Sequence, residues 1–173
     1  MAGSSQNITW ATAVTVANVK LEYSTNGGAT YPSIITATAP NTNSYAWVVP
    51  DAISTTVRVK VSDASDADAF GTSAGNFKIR AGFTLTSPTG GQAWVVGSVQ
   101  NITWTTFGTV ANVKLEYSID SGATYPNVII ASLLNSGTYA WTVPDAITTA
   151  ARVRVSDVND ATAMAASNSN FKI

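Results

Sequence analysis

Hydrolytic chemistry needs a pair of carboxylates, or a nucleophile activated by a neighbouring base. This sequence offers few such groups: it has no histidine and no cysteine. Its two glutamates, Glu22 and Glu116, each sit in the same local sequence, Val-Lys-Leu-Glu-Tyr-Ser. The alternation of apolar and charged residues there predicts a strand with the glutamate on its outward face. Asp51 and Asp145 each follow a proline in what reads as a turn. No glycine-rich phosphate loop precedes a helix. No acid–base pair emerges, so no catalytic residue, cofactor-binding residue, metal ligand or cofactor is assigned, and the chain is expected not to be an enzyme.

Other groupings have a structural reading beside the chemical one. Ser118-Ile119-Asp120-Ser121-Gly122-Ala123-Thr124-Tyr125 fits the Asp-box pattern Ser-x-Asp-x-Gly-x-Thr-aromatic. Ser and Asp side chains cap backbone N–H groups of a tight hairpin, and glycine supplies a conformation that a β-carbon obstructs. The first half of the chain carries Ser24-Thr25-Asn26-Gly27-Gly28-Ala29-Thr30-Tyr31 at the corresponding place. Asparagine there keeps the capping chemistry and drops the carboxylate, which favours turn-making. Asp63, Asp66 and Asp68, with Asp157, Asn159 and Asp160, present loop oxygens of the kind Ca²⁺ takes in sets of six to eight. Their spacing differs between the halves and Thr162 replaces Asp68, so solvated turn acids are expected. Lys20, Lys60 and Lys78 invite an isopeptide bond, which needs a buried lysine beside a buried acid; all three are expected to point outward. Trp10, Trp47, Trp104 and Trp141 fall at inward strand positions and are expected in the core. Tyr31, Tyr125 and Trp94 remain open as sugar-stacking candidates. The sequons Asn7-Ile8-Thr9 and Asn101-Ile102-Thr103 lie within predicted strands.

The elements that carry these residues occur twice. Gln6-Asn7-Ile8-Thr9-Trp10 returns as Gln100-Asn101-Ile102-Thr103-Trp104, an offset of 94 residues (Asn101 against Asn7). The same offset joins Val16–Ser24 to Val110–Ser118, Pro50–Ile53 to Pro144–Ile147, and Asn76–Ile79 to Asn170–Ile173 without a gap. A repeat near 90 residues suits one sandwich domain better than a solenoid repeat of roughly 20–50. In the second copy the apolar sets Val113/Leu115/Tyr117, Tyr139/Trp141/Val143 and Ala151/Val153/Val155 alternate with polar residues. Phe83–Thr86, Ala93–Val96, Gln100–Thr105, Val128–Ile130 and Phe171–Ile173 complete about seven short strands. The predicted fold is all-β: two tandem Ig-like or fibronectin-III-like sandwiches. The predicted domains are 1–79, N-terminally incomplete; 80–82, a linker; and 83–173, complete. Three linker residues are too few for a long flexible tether, and a limited range of inter-domain angles is expected.

Composition narrows the partners. Apolar residues make up 45% of the chain, enough for packed cores, and charged residues only 11%, against roughly 25% in an ordinary domain. Nine scattered basic residues and a net charge of −1 leave no footprint for a phosphate backbone, so nucleic acid is not an expected partner. No apolar run approaches the ~18 residues of a membrane span. The first residues have neither the basic nor the apolar region of a signal peptide, which fits a cytoplasmic chain or a segment of a longer precursor.

The first copy starts at the counterpart of Gly97, so Phe83–Val96 has no equivalent beyond Met1 and Ala2. Phe83, Leu85 and Trp94 are expected to point inward, and each buried Phe or Leu contributes roughly 1.5–3 kcal/mol. Their loss also leaves a sheet edge unpaired. The gap marks either an arbitrary cut from a longer array or an edge completed by a neighbour.

The segments Ser87-Pro88-Thr89-Gly90-Gly91-Gln92-Ala93-Trp94, Asn101-Ile102-Thr103-Trp104, Val113–Ser118, Gly137–Pro144, Arg152–Asp157 and Asn170–Ile173 together resemble a known family. These are the Ig-like repeats named after yeast cell-wall synthesis and Ser/Thr-rich GPI-anchored proteins, found also in secreted and surface repeat proteins. The resemblance covers nearly all of both copies and implies a non-catalytic β-sandwich outside the cell or on its surface. The first copy departs from it by lacking the Ser-Pro-x-Gly-Gly segment. The expected function is a structural or spacer module of a secreted or cell-surface tandem-repeat protein, fibre-forming or adhesive. Its expected partners are adjacent repeats of a longer parent chain, and its own kind through the open edge of domain 1. The alternative is a carbohydrate- or ligand-binding accessory module of an extracellular enzyme; a viral decoration domain is a third reading.

Overall fold

The structure is a computed structural model that describes residues 1–173. The chain is all-β, with no helix, and it divides into two compact units, Met1–Arg80 and Ala81–Ile173. Of residues 80–82, Arg80 closes unit 1, where its carbonyl accepts from the Ala2 N–H at 2.9 Å. Ala81 is buried in the core of unit 2 and Gly82 begins its first strand.

Unit 2 holds β8 (Gly82–Ser87), β9 (Val99–Phe107), β10 (Asn112–Ser118), β11 (Asn127–Leu134), β12 (Thr138–Thr142), β13 (Arg152–Asp157) and β14 (Met164–Ala166). They form two antiparallel sheets, ordered β12-β9-β8 and β11-β10-β13-β14. Phe83, Leu85, Ile102, Trp104 and Trp141 from the first sheet share one buried core with Val113, Leu115, Val153 and Val155 from the second. Every second side chain of a strand points to one face, so each sheet places its apolar set inward and the two faces close as a sandwich. Phe171 joins this core fully buried, on a bridge to Ala151. The stretch Ala93–Val96, expected as a strand, makes only the single bridge Ala93–Lys172. A turn follows at once, closed by Ser98 N–H on the Val95 carbonyl at 3.0 Å, and the chain reverses before a ladder can grow.

Unit 1 repeats the plan with β1 (Ser5–Thr9), β2 (Asn18–Ser24), β3 (Ser33–Pro40), β4 (Ser44–Val48), β5 (Ser54–Asp63), β6 (Phe70–Thr72) and β7 (Phe77–Ile79). The sheet β3-β2-β5-β6, with β7 also on β5, matches its counterpart, but the opposing sheet is only β1-β4. No strand occupies the place of β8. The register of β2 on β5 pairs Glu22 with Lys60, as β10 on β13 pairs Glu116 with Arg154.

Candidate functional site

The two glutamates are not outward in the sense of being exposed: Glu22 retains 7% and Glu116 5% of its accessible surface. Alternation does aim them away from the core, but long neighbouring side chains fold over them. Lys114, two residues earlier on the same face of β10, places Nζ 2.6 Å from Glu116 Oε1. Arg154, opposite on β13, donates from Nη2 at 2.7 Å and from Nε at 3.1 Å to Glu116 Oε2. The guanidinium in turn lies 4.3 Å from the centre of the Tyr125 ring, a cation–π contact, and burial pushes the Tyr125 phenol up. In unit 1, Lys20 and Lys60 hold Glu22 at 2.7 and 2.9 Å, and Lys60 lies 5.4 Å from the Tyr31 ring. Burial pushes both carboxyls up, yet the hydrogen bonds and charges of their two cations outweigh it and leave each below the ordinary glutamate value. A general acid near neutral pH needs the opposite shift. These carboxylates stay ionised with both oxygens engaged, and they act as clamps between strands.

The Asp-box hairpin is built as its residue types predict. Ser118, fully buried, accepts from the N–H groups of Asp120 (3.1 Å) and Gly122 (2.9 Å) and donates its hydroxyl to Asp120 Oδ1. The Asp120 carboxylate accepts from Thr124 N–H at 3.0 Å and from Thr124 Oγ1 at 2.6 Å. The hydroxyls of Ser118 and Thr124 draw its pKa down to about 2. Ser24, Asn26, Gly28 and Thr30 repeat the arrangement with an amide in place of the carboxylate. Gly122 has φ +84°, and a β-carbon there would lie 2.9 Å from the Tyr125 hydroxyl and 3.0 Å from Arg152 Cδ. The glycine therefore serves both the turn and the packing of Tyr125 above it.

The loop acids cap their own turns. Asp63 accepts from the hydroxyl (2.6 Å) and N–H (2.8 Å) of Ser65; Asp66 accepts from Asp68 N–H at 3.0 Å. Asp157 and Asp160 do the same for Asn159 and Thr162. No three acids converge as a metal cluster. Asn7 and Asn101 are exposed on β1 and β9.

Trp47, Trp104 and Trp141 are core residues, whereas Trp10 is only half-buried. Of the sugar-stacking candidates, Tyr125 lies against Arg154, Tyr31 against Lys60, and Trp94 packs on Phe171 and Trp141 at 4.9 and 6.0 Å. One pair of structural residues escaped the sequence reading. Asn135 Oδ1 accepts from the Trp104 indole N–H at 2.8 Å while its Nδ2 donates to the Val110 carbonyl at 3.1 Å. Asn41 does the same for Trp10 and Val16 at 2.8 and 3.0 Å. The signal was an asparagine recurring at the repeat offset just after each β3-type strand.

The place of β8 in unit 1 is a groove of about 520 Å³, bordered by Ile8, Trp10, Val19, Val61, Ala69 and Phe70. A second hollow of about 390 Å³ runs beside it, against Trp47, Phe77 and Ile79. No known family profile matches this sequence, and no curated protein does. Among solved structures, the fibronectin(III)-like modules of Clostridium thermocellum CbhA are similar at 17% identity, over 99% of this chain and 86% of that one, with a TM-score of 0.37. The sheets and cores described above define two β-sandwich units.

Proposed function

We propose that this chain is a non-catalytic structural or spacer module of a secreted or cell-surface tandem-repeat protein, joined to adjacent repeats of a longer parent chain. The observation that carries this reading is the duplicated clamp. In both units the buried glutamate is ion-paired to two cations, one of which lies over a tyrosine ring, bracing the strands of the larger sheet. The hairpin serines, the Trp–Asn pairs and the loop acids are engaged within their own units in the same duplicated way, and no buried side-chain nitrogen or oxygen lacks a partner. Polar groups held in this way fix a rigid shape and leave little freedom for moving protons. The resemblance to cell-wall-synthesis Ig-like repeats belongs with this reading, as does a location outside the cell. Antibodies against the chain are expected to label intact source cells or their medium; labelling only after permeabilisation refutes that location. Single-molecule pulling on the full chain is expected to give two separate unfolding events. A single cooperative event refutes the reading of independent modules.

A further inference from the structure

The hairpin after β2 carries the only Asn-Gly dipeptide of the sequence, Asn26-Gly27. Such a pair can react with itself, because glycine has no side chain to shield its nitrogen. The Gly27 nitrogen attacks Asn26 Cγ, the Cγ–Nδ2 bond breaks, and ammonia leaves with the Gly27 proton. Water then opens the cyclic imide. Attack at Cγ gives aspartate at position 26; attack at the main-chain carbonyl gives isoaspartate, with the side-chain carbon inserted into the backbone. Water is the sole co-reactant, and Asn26 is exposed to it.

The fold holds both reacting groups away from that step. Gly27 N–H, the nucleophile, donates to the Thr56 carbonyl at 2.8 Å. Asn26 Nδ2, the leaving group, donates to Thr30 Oγ1 at 2.9 Å. Asn26 Oδ1 accepts from the Ser24 hydroxyl at 2.6 Å and from Thr30 N–H at 3.1 Å. Donors on Oδ1 polarise Cγ and by themselves ease attack. The nucleophile decides the balance, since Gly27 must release Thr56 and turn within a pinned hairpin. The pin is Ser24, fully buried, whose Oγ also accepts from the N–H groups of Asn26 and Gly28 at 3.1 and 3.0 Å.

Unit 2 displays the aspartate form of the same hairpin. There Asp120 accepts from the Ser118 hydroxyl, Thr124 N–H and the Thr124 hydroxyl. Ser121 N–H donates to the Ala150 carbonyl at 3.0 Å, as Gly27 does to Thr56. Exchanging the Asn26 amide for a carboxylate therefore reverses a single bond, with Thr30 donating where it had accepted. We propose that Asn26-Gly27 is a self-modifying site, closed in the folded hairpin and opened when β2 and β5 part, whose aspartate product refolds into a carboxylate box of the unit 2 kind. Isoaspartate has no place in that box, because its longer backbone breaks the spacing from Ser24 to Gly28. A chain that has opened carries a covalent record of the event at position 26. This inference is independent of the spacer reading.

The test follows loss of the amide by peptide mapping and mass spectrometry, as the small mass gain of exchanging NH for O, in mildly alkaline buffer. The full chain is compared folded, in guanidinium chloride, and against an end-capped peptide of residues 21–33. The folded-state rate at Asn26 is expected to lie at least about tenfold below the other two, as protection by a local opening equilibrium requires. Sub-denaturing guanidinium is expected to speed this reaction and hydrogen exchange of the Gly27 amide in parallel. Ser24→Ala removes the pin and is expected to raise the folded-state rate about 5-fold or more, whereas Ser118→Ala in unit 2 leaves it unchanged. Should Ser24→Ala unfold unit 1, the parallel with Gly27 exchange in the unaltered chain decides alone. Asn26→Asp is expected to leave unit 1 folded. The proposal is overturned if the folded chain reacts as fast as the peptide, or faster, which would make Ser24 and Thr30 promoters of the attack. It is also overturned if the rate does not follow Gly27 exchange, or if Asn26→Asp unfolds unit 1.

Discussion

Phe171 and Phe77 are the same residue of the repeat in two environments, and truncating each measures what the open groove costs. Phe171 is fully buried with the Trp94 ring 4.9 Å away. Phe77 is half-buried, and its nearest ring is Trp47 at 6.4 Å. A buried Phe→Ala substitution costs about 3–5 kcal/mol, since transfer and cavity terms add, and a close aromatic pair contributes about 0.5–1.5 kcal/mol more. Phe171→Ala should fall near the top of that range. Phe77→Ala removes a ring that is only partly buried and has no comparably close aromatic neighbour, and should cost clearly less, about 2–3 kcal/mol, at or below the lower end of that range. Urea unfolding of the full chain, followed by amide signals assigned to each unit, reads both values at once. With a slope of about 1–2 kcal/mol/M for domains of this size, Phe171→Ala lowers the unit 2 midpoint by about 2.5–5 M and Phe77→Ala moves unit 1 by roughly half as much. Should Phe171→Ala unfold unit 2 outright, Ile102→Val against Ile8→Val gives the milder comparison, about 0.5–1.5 kcal/mol at the buried site and less at the open one. Equal losses in the two units would refute the open groove.

Glu116→Gln leaves Lys114 and Arg154 facing each other without their carboxylate. Because both cations are about a third exposed, the expected loss is about 1–3 kcal/mol, below the 3–5 of a fully buried pair, read as a lowered unit 2 melting temperature; an unchanged one contradicts the clamp. Asp120 has its carboxyl held at about 2 against an ordinary 3.8. A depressed folded-state pKa stabilises above the unfolded value, and that contribution disappears as pH falls from near 4 through about 2. Asp120→Asn should therefore flatten the acid dependence of unit 2 in that window and leave unit 1, which already has Asn26, unaffected; an unaltered acid titration of unit 2 contradicts the assignment. Millimolar calcium, compared with chelator, should leave both melting temperatures unchanged, because the loop acids already cap their own turns. A calcium-dependent rise would contradict that.

Much of the fold was legible because alternation and repetition are local signals. Val113, Leu115 and Tyr117 against Lys114 and Glu116 give the faces of β10, and the Asp-box residues give its hairpin without reference to anything distant. What could not be read depends on pairing across strands. The burial of Glu116 requires Arg154 opposite on β13, a register that sequence spacing leaves open. The stretch Ala93–Val96 has strand-like composition, yet the turn at Val95–Ser98 confines its pairing to a single bridge, Ala93 with Lys172. Trp10 reads as core by its position, and only the open edge beside it explains why it is half-buried while Trp104 is covered. The Trp–Asn pairs were visible only as a recurring asparagine, since a side-chain acceptor across 31 residues has no local signature.

Native-state hydrogen exchange, resolved to single amides across the whole chain, sets the two copies side by side most directly. The account predicts matching protection at Val19 and Val113, and at Leu21 and Leu115. It predicts strong protection of Thr105 and Phe107 beside fast exchange of Ala11 and Ala13. Equal protection at Ala11 and Thr105, or mismatched patterns along β2 and β10, would contradict it.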